Sequence, residues 1–436
     1  MDIGRLWYLK NQHGAERLWH GYLVQIVLTA KDDAVGRYHY VEIRNLAEQI
    51  CGEIGPGADF RATVQRLCWM ALERPTKGSS FKSNPGVSLL AAATHYNLLP
   101  LVERLLAEGH SPTSHNCLFA PAMQVAATDG NVDLLERFQQ HLPEFEQHPG
   151  FSDWHGKIGP CSMVGAAIRG DLDVMRAAMY PPSRATPDST DLLGQPFGSV
   201  SEGSPLLYQL LDVLHHTTSP AVFDYVRGIF AEPLSDDKLY QRMAIHAQRG
   251  NLEMVRHLLD MGVPFQSQGK IARLLDPPLV EACKGCHEEI VDLLLARGAD
   301  PNYRAEVELL RPRKALPMAA KSGSLAIVRK LLDHGAYVNE LRDYPGNVPA
   351  VWYALYLEHT AMVRLLLERG ASLTGGAGTW FEGWIGPTAL EMAVDLGLES
   401  MDELLRQNGV TLEPLEIRSE RSFWKQFQLW AYDNRY

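Results

Sequence analysis

Apolar positions along most of this 436-residue chain recur in a two-part rhythm. The stretch PPLVEACKGCHEEIVDLLLARGADPN, residues 277–302, shows it clearly: a short apolar block rich in small residues, a polar turn, apolar residues at three- and four-residue spacing, and a closing glycine. That spacing puts the apolar side chains on one helical face, so the pattern predicts two short antiparallel helices joined by a tight turn. The same plan returns at 314–339, 349–374 and 388–413, and upstream at 88–113, 121–142, 161–180 and 241–266. A stretched copy at 204–230, SPLLYQLLDVLHHTTSPAVFDYVRGIF, keeps both helical phases and predicts a longer turn between them, giving about nine units in all.

A pair of short helices cannot hide its apolar face alone, so stacking on neighbours must complete the core. Ala93, Ala126, Ala166 and Ala319 are expected to let successive first helices approach closely, while Leu105, Leu258, Leu294, Leu331 and Leu366 fill the space between layers. Gly109, Gly262, Gly298, Gly335, Gly370 and Gly409 follow the leucines, where a chain leaving a helix turns through a left-handed conformation.

The alternation resembles the ankyrin repeat, which opens on T-P-L-H-x-A-A and closes on G-A-x-x-N. GPTALEMA at 386–393 and GADPN at 298–302 are similar to it, Pro278 and Leu279 match its Pro-Leu step, and Thr388 matches its turn threonine. His246 stands where the pattern has alanine and Trp352 where it has histidine. The resemblance spans roughly 86–413 and implies an all-α, ankyrin-type helical solenoid with short hairpin or loop projections. It also implies a binding scaffold without naming a ligand.

Residues 1–85 lack the repeat register but carry helical phases near 15–30, 41–53 and 59–73, which predicts an N-terminal helical cap or small helical domain before an array at 86–413. The end, 414–436, interleaves Phe423, Trp424, Phe427, Trp430 and Tyr432 with charged and amide residues, as expected of an aromatic segment capping the last repeat.

Charge narrows the partners. Asp and Glu number 52 against 41 Lys and Arg, a formal charge of −11, which opposes generic binding to a phosphate backbone and leaves nucleic acid outside the expected partners. No stretch approaches eighteen uncharged apolar residues, so no membrane partner is expected. Six scattered cysteines and an opening without a secretory leader point to the cytoplasm, with the nucleus as the other compartment. Cys283, Cys286 and His287 stand in the order of a haem-attachment sequence and include soft metal ligands. Yet Cys283 occupies the place of a sibling alanine and Cys286 that of Gly250 or Gly323, so the scaffold explains both, and no metal or cofactor is expected.

Candidate chemistry lies in three interruptions, 143–160, 181–203 and 375–387. In the first, Asp153 and His155 are weak catalytic candidates, because a carboxylate can orient an imidazole that titrates near neutrality. In the third, Trp380, Phe381, Glu382 and Trp384 join Tyr303, Arg304, Arg342, Asp343 and Tyr344 of adjoining units as the candidate binding surface. The favoured reading is a protein-interaction scaffold that binds a protein partner on its concave face and repeat projections. The alternative is an enzyme or receptor for a small organic ligand, with a pocket using His155, His246 or the His215–His216 pair. A closed chamber faced by a carboxylate and an imidazole would separate the two. Oligomeric state is not legible at this level.

Overall fold

A computed structural model describes residues 16–29, 38–72, 84–141, 159–179, 206–266, 276–303, 314–339, 349–373, 379–380, 384–385, 401, 404–405 and 407–408. The chain divides into two compact units, Met1–Ala299 and Asp300–Tyr436. Apart from one two-residue antiparallel strand pair, the regular structure of the described residues is helical.

The first unit opens with α1 (Glu16–Thr29), α2 (Tyr38–Ile54) and α3 (Phe60–Leu72). These helices pack on one another through Leu23 and Val27, Ile43, Leu46 and Ile50, and Val64, Leu67 and Cys68, all buried and spaced by three or four residues. Six helix pairs follow: α4 (Pro85–His95) with α5 (Leu99–Ala107), α6 (Ala122–Asp129) with α7 (Val132–His141), α8 (Gly159–Arg169) with α9 (Leu172–Met179), α10 (Leu206–His216) with α11 (Pro220–Arg227), α12 (Asp236–Arg249) with α13 (Leu252–Asp260), and α14 (Pro278–Lys284) with α15 (Glu288–Ala296). First helices stack on first helices, α4 through α14 in order, second helices stack on second helices, and α2 closes against α4.

The second unit repeats the plan with α16 (Ala315–Lys321), α17 (Leu325–Asp333), α18 (Ala350–Tyr356) and α19 (Thr360–Glu368), α16 lying on α18 and α17 on α19. It also holds β1 (Thr379–Trp380) paired antiparallel with β2 (Trp384–Ile385).

Small residues decide how close the first helices come. Ala93, Ala126, Ala166 and Ala319 are fully buried. At Gly165 in α8 the approach is tighter still, because a Cβ there would fall 2.3 Å from the Gln124 carbonyl oxygen of α6. The leucines at 105, 258, 294, 331 and 366 are buried between layers, each such side chain stabilising by roughly 1.5–3 kcal/mol relative to exposure.

In most of the described pairs the helices end in the same device. After the second helix, Gly109, Gly262, Gly298, Gly335 and Gly370 take φ of 83–90°. The next residue then donates its N–H back to a leucine carbonyl, as Val263 does to Leu258 and Ala336 to Leu331 at 3.0 and 2.9 Å. After the first helix the left-handed position is Gly130, Gly170, Gly250 or Gly323, but it is also Asn97 (φ 53°), Cys286 (φ 58°) and Glu358 (φ 51°). The α10–α11 link differs from the longer turn predicted from sequence. It has three residues, 217–219, as many as the α4–α5 link, because α10 continues through His216. There the Thr217 hydroxyl receives the Ser219 N–H at 3.3 Å and Pro220 starts α11, so a side-chain turn stands in for the left-handed residue.

Left-handed backbone strains an L-residue by about 1–2 kcal/mol, partly offset by the entropy that glycine loses on folding. Cys286→Gly and Glu358→Gly are therefore each expected to stabilise by a few tenths to about 1 kcal/mol, and Gly323→Ala, which has open space around it, to destabilise by about 1 kcal/mol. Gly165→Ala, which meets backbone, is expected to lose about 1–3 kcal/mol. Urea midpoints of the four variants check the set.

Candidate functional site

The turns of the second unit are built by an amide device that the closing asparagine of the repeat supplies. Asn302 donates from Nδ2 to the Gly335 carbonyl at 2.9 Å and accepts the Tyr337 N–H on Oδ1 at 2.8 Å. One repeat later Asn339 does the same to Gly370 (2.6 Å) and Ser372 (2.7 Å). A primary amide matches a peptide's donor and acceptor, so each turn is pinned to the next. The pinned turns display Tyr303, half-buried, and Tyr337, which is 65% exposed. At the end of α18, Tyr356 and Leu357 add further exposed apolar surface.

Of the residues singled out from sequence, Tyr303 sits on this turned surface. Arg304, Arg342, Asp343, Tyr344, Phe381, Glu382, Asp153 and His155 lie outside the described residues. Trp380 and Trp384 are described in their backbone, where they stand directly opposite one another across the β1–β2 pair. Trp352, which stands where the repeat has histidine, is fully buried in α18, with its ring 6.3 Å from that of Tyr356 in a stacked arrangement. Tyr337 is not among the residues that the sequence pattern singles out. Its signal is an aromatic residue inside G-A-x-x-N, where the preceding repeat has Asp300.

Cys283, Cys286 and His287 resolve into three structural roles. Cys283 is completely buried in α14, and burial pushes its thiol well above the usual range. Cys286 supplies the left-handed turn. His287 lies against Gly250 and Gly285, with Nε2 2.9 Å from the Gln248 carbonyl at the end of α12, and burial holds its pKa down. Arg169 does the same service for Thr128 at 3.3 Å, and Arg249 for His215. Cationic or N–H-bearing side chains thus satisfy the carbonyls that end the preceding first helix. Next to His287 runs a cleft of about 470 Å³, edged by Glu288, Glu289 and Asp292 and open to solvent.

A second titratable group lies in the seam between α10 and α12: Asp212, His215, His216, Arg242, His246 and Arg249. His246 is fully buried, with Nε2 3.1 Å from the Leu214 carbonyl and Nδ1 3.1 Å from Asn251 Nδ2. One ring nitrogen donates and the other accepts, so the neutral imidazole is fully satisfied. Burial, reinforced by Arg249 and Arg242, brings its pKa down to about 4. His215 is brought down to about 3 by burial together with Arg242 and Arg249, so it stays neutral although Nδ1 lies 3.9 Å from Asp212. Burial also lowers Arg242, to about 10. The alternative reading wanted such histidines facing a chamber; His246 instead faces a helix seam.

A histidine neutral in the fold and free to protonate when unfolded makes folding fully favourable above pH 6.5 and weaker as pH falls toward the folded value near 4. The expected loss across that window is on the order of 1–3 kcal/mol. His246→Gln, which retains a donor and an acceptor, is expected to make this acid limb shallower, with His215 supplying the part that remains, as read from urea midpoints at pH 7, 6, 5 and 4.

Comparison with known proteins agrees with this geometry. The ankyrin repeat family pattern matches residues 276–306. Over 143 residues the chain is 30% identical to ankyrin repeat and KH domain-containing protein mask-1 of Caenorhabditis elegans, a match covering 31% of this chain and 5% of that protein. Over 135 residues it is 27% identical to an ankyrin repeat and KH domain-containing protein of Caenorhabditis briggsae, covering 30% and 5%. The matched region therefore spans about a twentieth of the length of these relatives. Among the described residues no helix is long and apolar enough to cross a membrane. Stacked helix pairs, left-handed glycines after the leucine clusters at 109, 262, 298, 335 and 370, the G-A-x-x-N amide ladder and these matches together show an all-α, ankyrin-type helical array in which residues 276–306 match the ankyrin repeat itself.

Proposed function

We propose that this chain is a protein-interaction scaffold, and that a protein partner docks on its concave face and repeat projections, with the turns of the second unit as a principal contact. Ankyrin repeats are generally protein-interaction modules. The observation that carries the reading here is the Asn302 and Asn339 ladder, which holds successive turns rigid while leaving Tyr337 mostly exposed. A large aromatic ring on a pinned backbone contributes contact area while losing little freedom on binding, which is the profile of an interface anchor. The projection carrying Trp380 and Trp384, whose backbones pair across β1 and β2, is proposed as a further contact.

A small-molecule centre is less well supported. The cleft beside His287 is open, and the imidazole at its edge is already held by the Gln248 carbonyl. For a protein partner, an area of about 1,200–2,000 Å² in total is the usual size of a stable interface, which several adjacent turns can supply.

The test is affinity capture from native extract with the full chain and with the Tyr303→Ala/Tyr337→Ala variant, followed by purification of the recovered protein and direct measurement of both affinities. The variant is expected to keep its helical circular dichroism and bind at least about tenfold more weakly, the loss of roughly 1.4 kcal/mol or more that marks an anchor. Equal affinities would remove this surface from the interface.

A further inference from the structure

The junction between the N-terminal helices and the first repeat brings together three side chains that are far apart in sequence and share one chemical trait. His39 and Glu42 stand three residues apart on α2, which places them on one face of that helix. Cys117 comes from the connection between α5 and α6, and its Sγ lies 3.7 Å from His39 Nδ1. One ligand atom from each of the three lies within 4.8 Å of the others.

The neighbours hold this arrangement in place. Glu42 is buried, and its Oε1 accepts the hydroxyl of Ser88 from α4 at 2.8 Å. Cys117 follows Asn116, whose fully buried side chain accepts the N–H groups of Leu118 and Phe119, both at 2.7 Å, fixing the turn that carries the thiol. An outer hydrogen bond that orients a carboxylate and a turn that aims a sulfur are the kinds of support found around metal ligands.

We propose that His39, Glu42 and Cys117 form a zinc site that clasps α2 to the first repeat. Sulfur, imidazole and carboxylate are the donor types zinc takes, and in a tetrahedral zinc site such atoms stand about 3.3–3.6 Å apart, close to the observed sulfur–nitrogen separation. A thiolate and a carboxylate neutralise the dication, so the loaded site carries no net charge into a partly buried junction. Binding displaces the thiol proton to solvent, and a water completes the four-coordinate shell. The clasp adds a metal-dependent link to the packing of α2 on α4.

The full chain, stripped with a chelator and titrated with cobalt(II), is expected to take up one equivalent with a thiolate-to-metal charge-transfer band that zinc abolishes by displacement. Zinc is also expected to raise the melting midpoint. Cys117→Ser and His39→Gln are expected to lose more affinity than the ~10–100-fold typical of removing a supporting residue, whereas Cys286→Ser binds normally. In the unaltered chain, zinc is expected to protect Cys117 from alkylation and leave Cys286 reactive, a readout independent of how the variants fold. Absence of the cobalt band, a band unchanged in Cys117→Ser, or equal alkylation of Cys117 with and without zinc would overturn the assignment.

Discussion

Close contact between successive first helices is the constraint from which the rest of each unit follows. Where Ala126 and Ala166 are buried and Gly165 faces the Gln124 carbonyl, backbones meet with almost no side chain between them. Apolar stripes too narrow to form a core within one pair then become continuous between pairs. The leucines of the second helices complete the layer, and the turn inside each pair must reverse the chain within two or three residues, which is why left-handed positions recur there.

Backbones that approach so closely also bring carbonyl groups to helix ends that neighbours can reach. Arg169, Arg249 and His287 each cross to the preceding first helix and meet its terminal carbonyls. His246 takes an alanine position and remains acceptable there because Leu214 offers an acceptor and Asn251 a donor to a neutral ring. A buried polar side chain in a seam of small residues is tolerated when both of its hydrogen-bonding atoms are used. The same polar logic, moved to the surface, pins the turns through Asn302 and Asn339 and so connects the packing of the array to the side chains it presents.

Much of the architecture was legible because periodicity and turn chemistry are local properties. The glycines after the leucine clusters were predicted to be left-handed and are so at 109, 262, 298, 335 and 370. Comparison with sibling units assigns Cys283 the place of an alanine and Cys286 that of a glycine, and the buried thiol and the left-handed backbone agree. Trp352 is a departure from the repeat whose place the spacing leaves open. An aromatic residue in a helix carries no label for inside or outside until the neighbouring helix is placed, and here it belongs to the core. Tyr337, unremarkable in sequence, became the most exposed large ring among the described residues.

By itself, then, the order of residues determined the repeating unit, its two helices and the conformations of its turns, because these depend on neighbours a few positions away. Only the tertiary structure decided that His246 and His287 serve carbonyls of the preceding repeat, and that His39, Glu42 and Cys117 converge across intervals of 75 and 78 residues. Those meetings are set by how one helix seats on another, a distance relation that no spacing along the chain encodes.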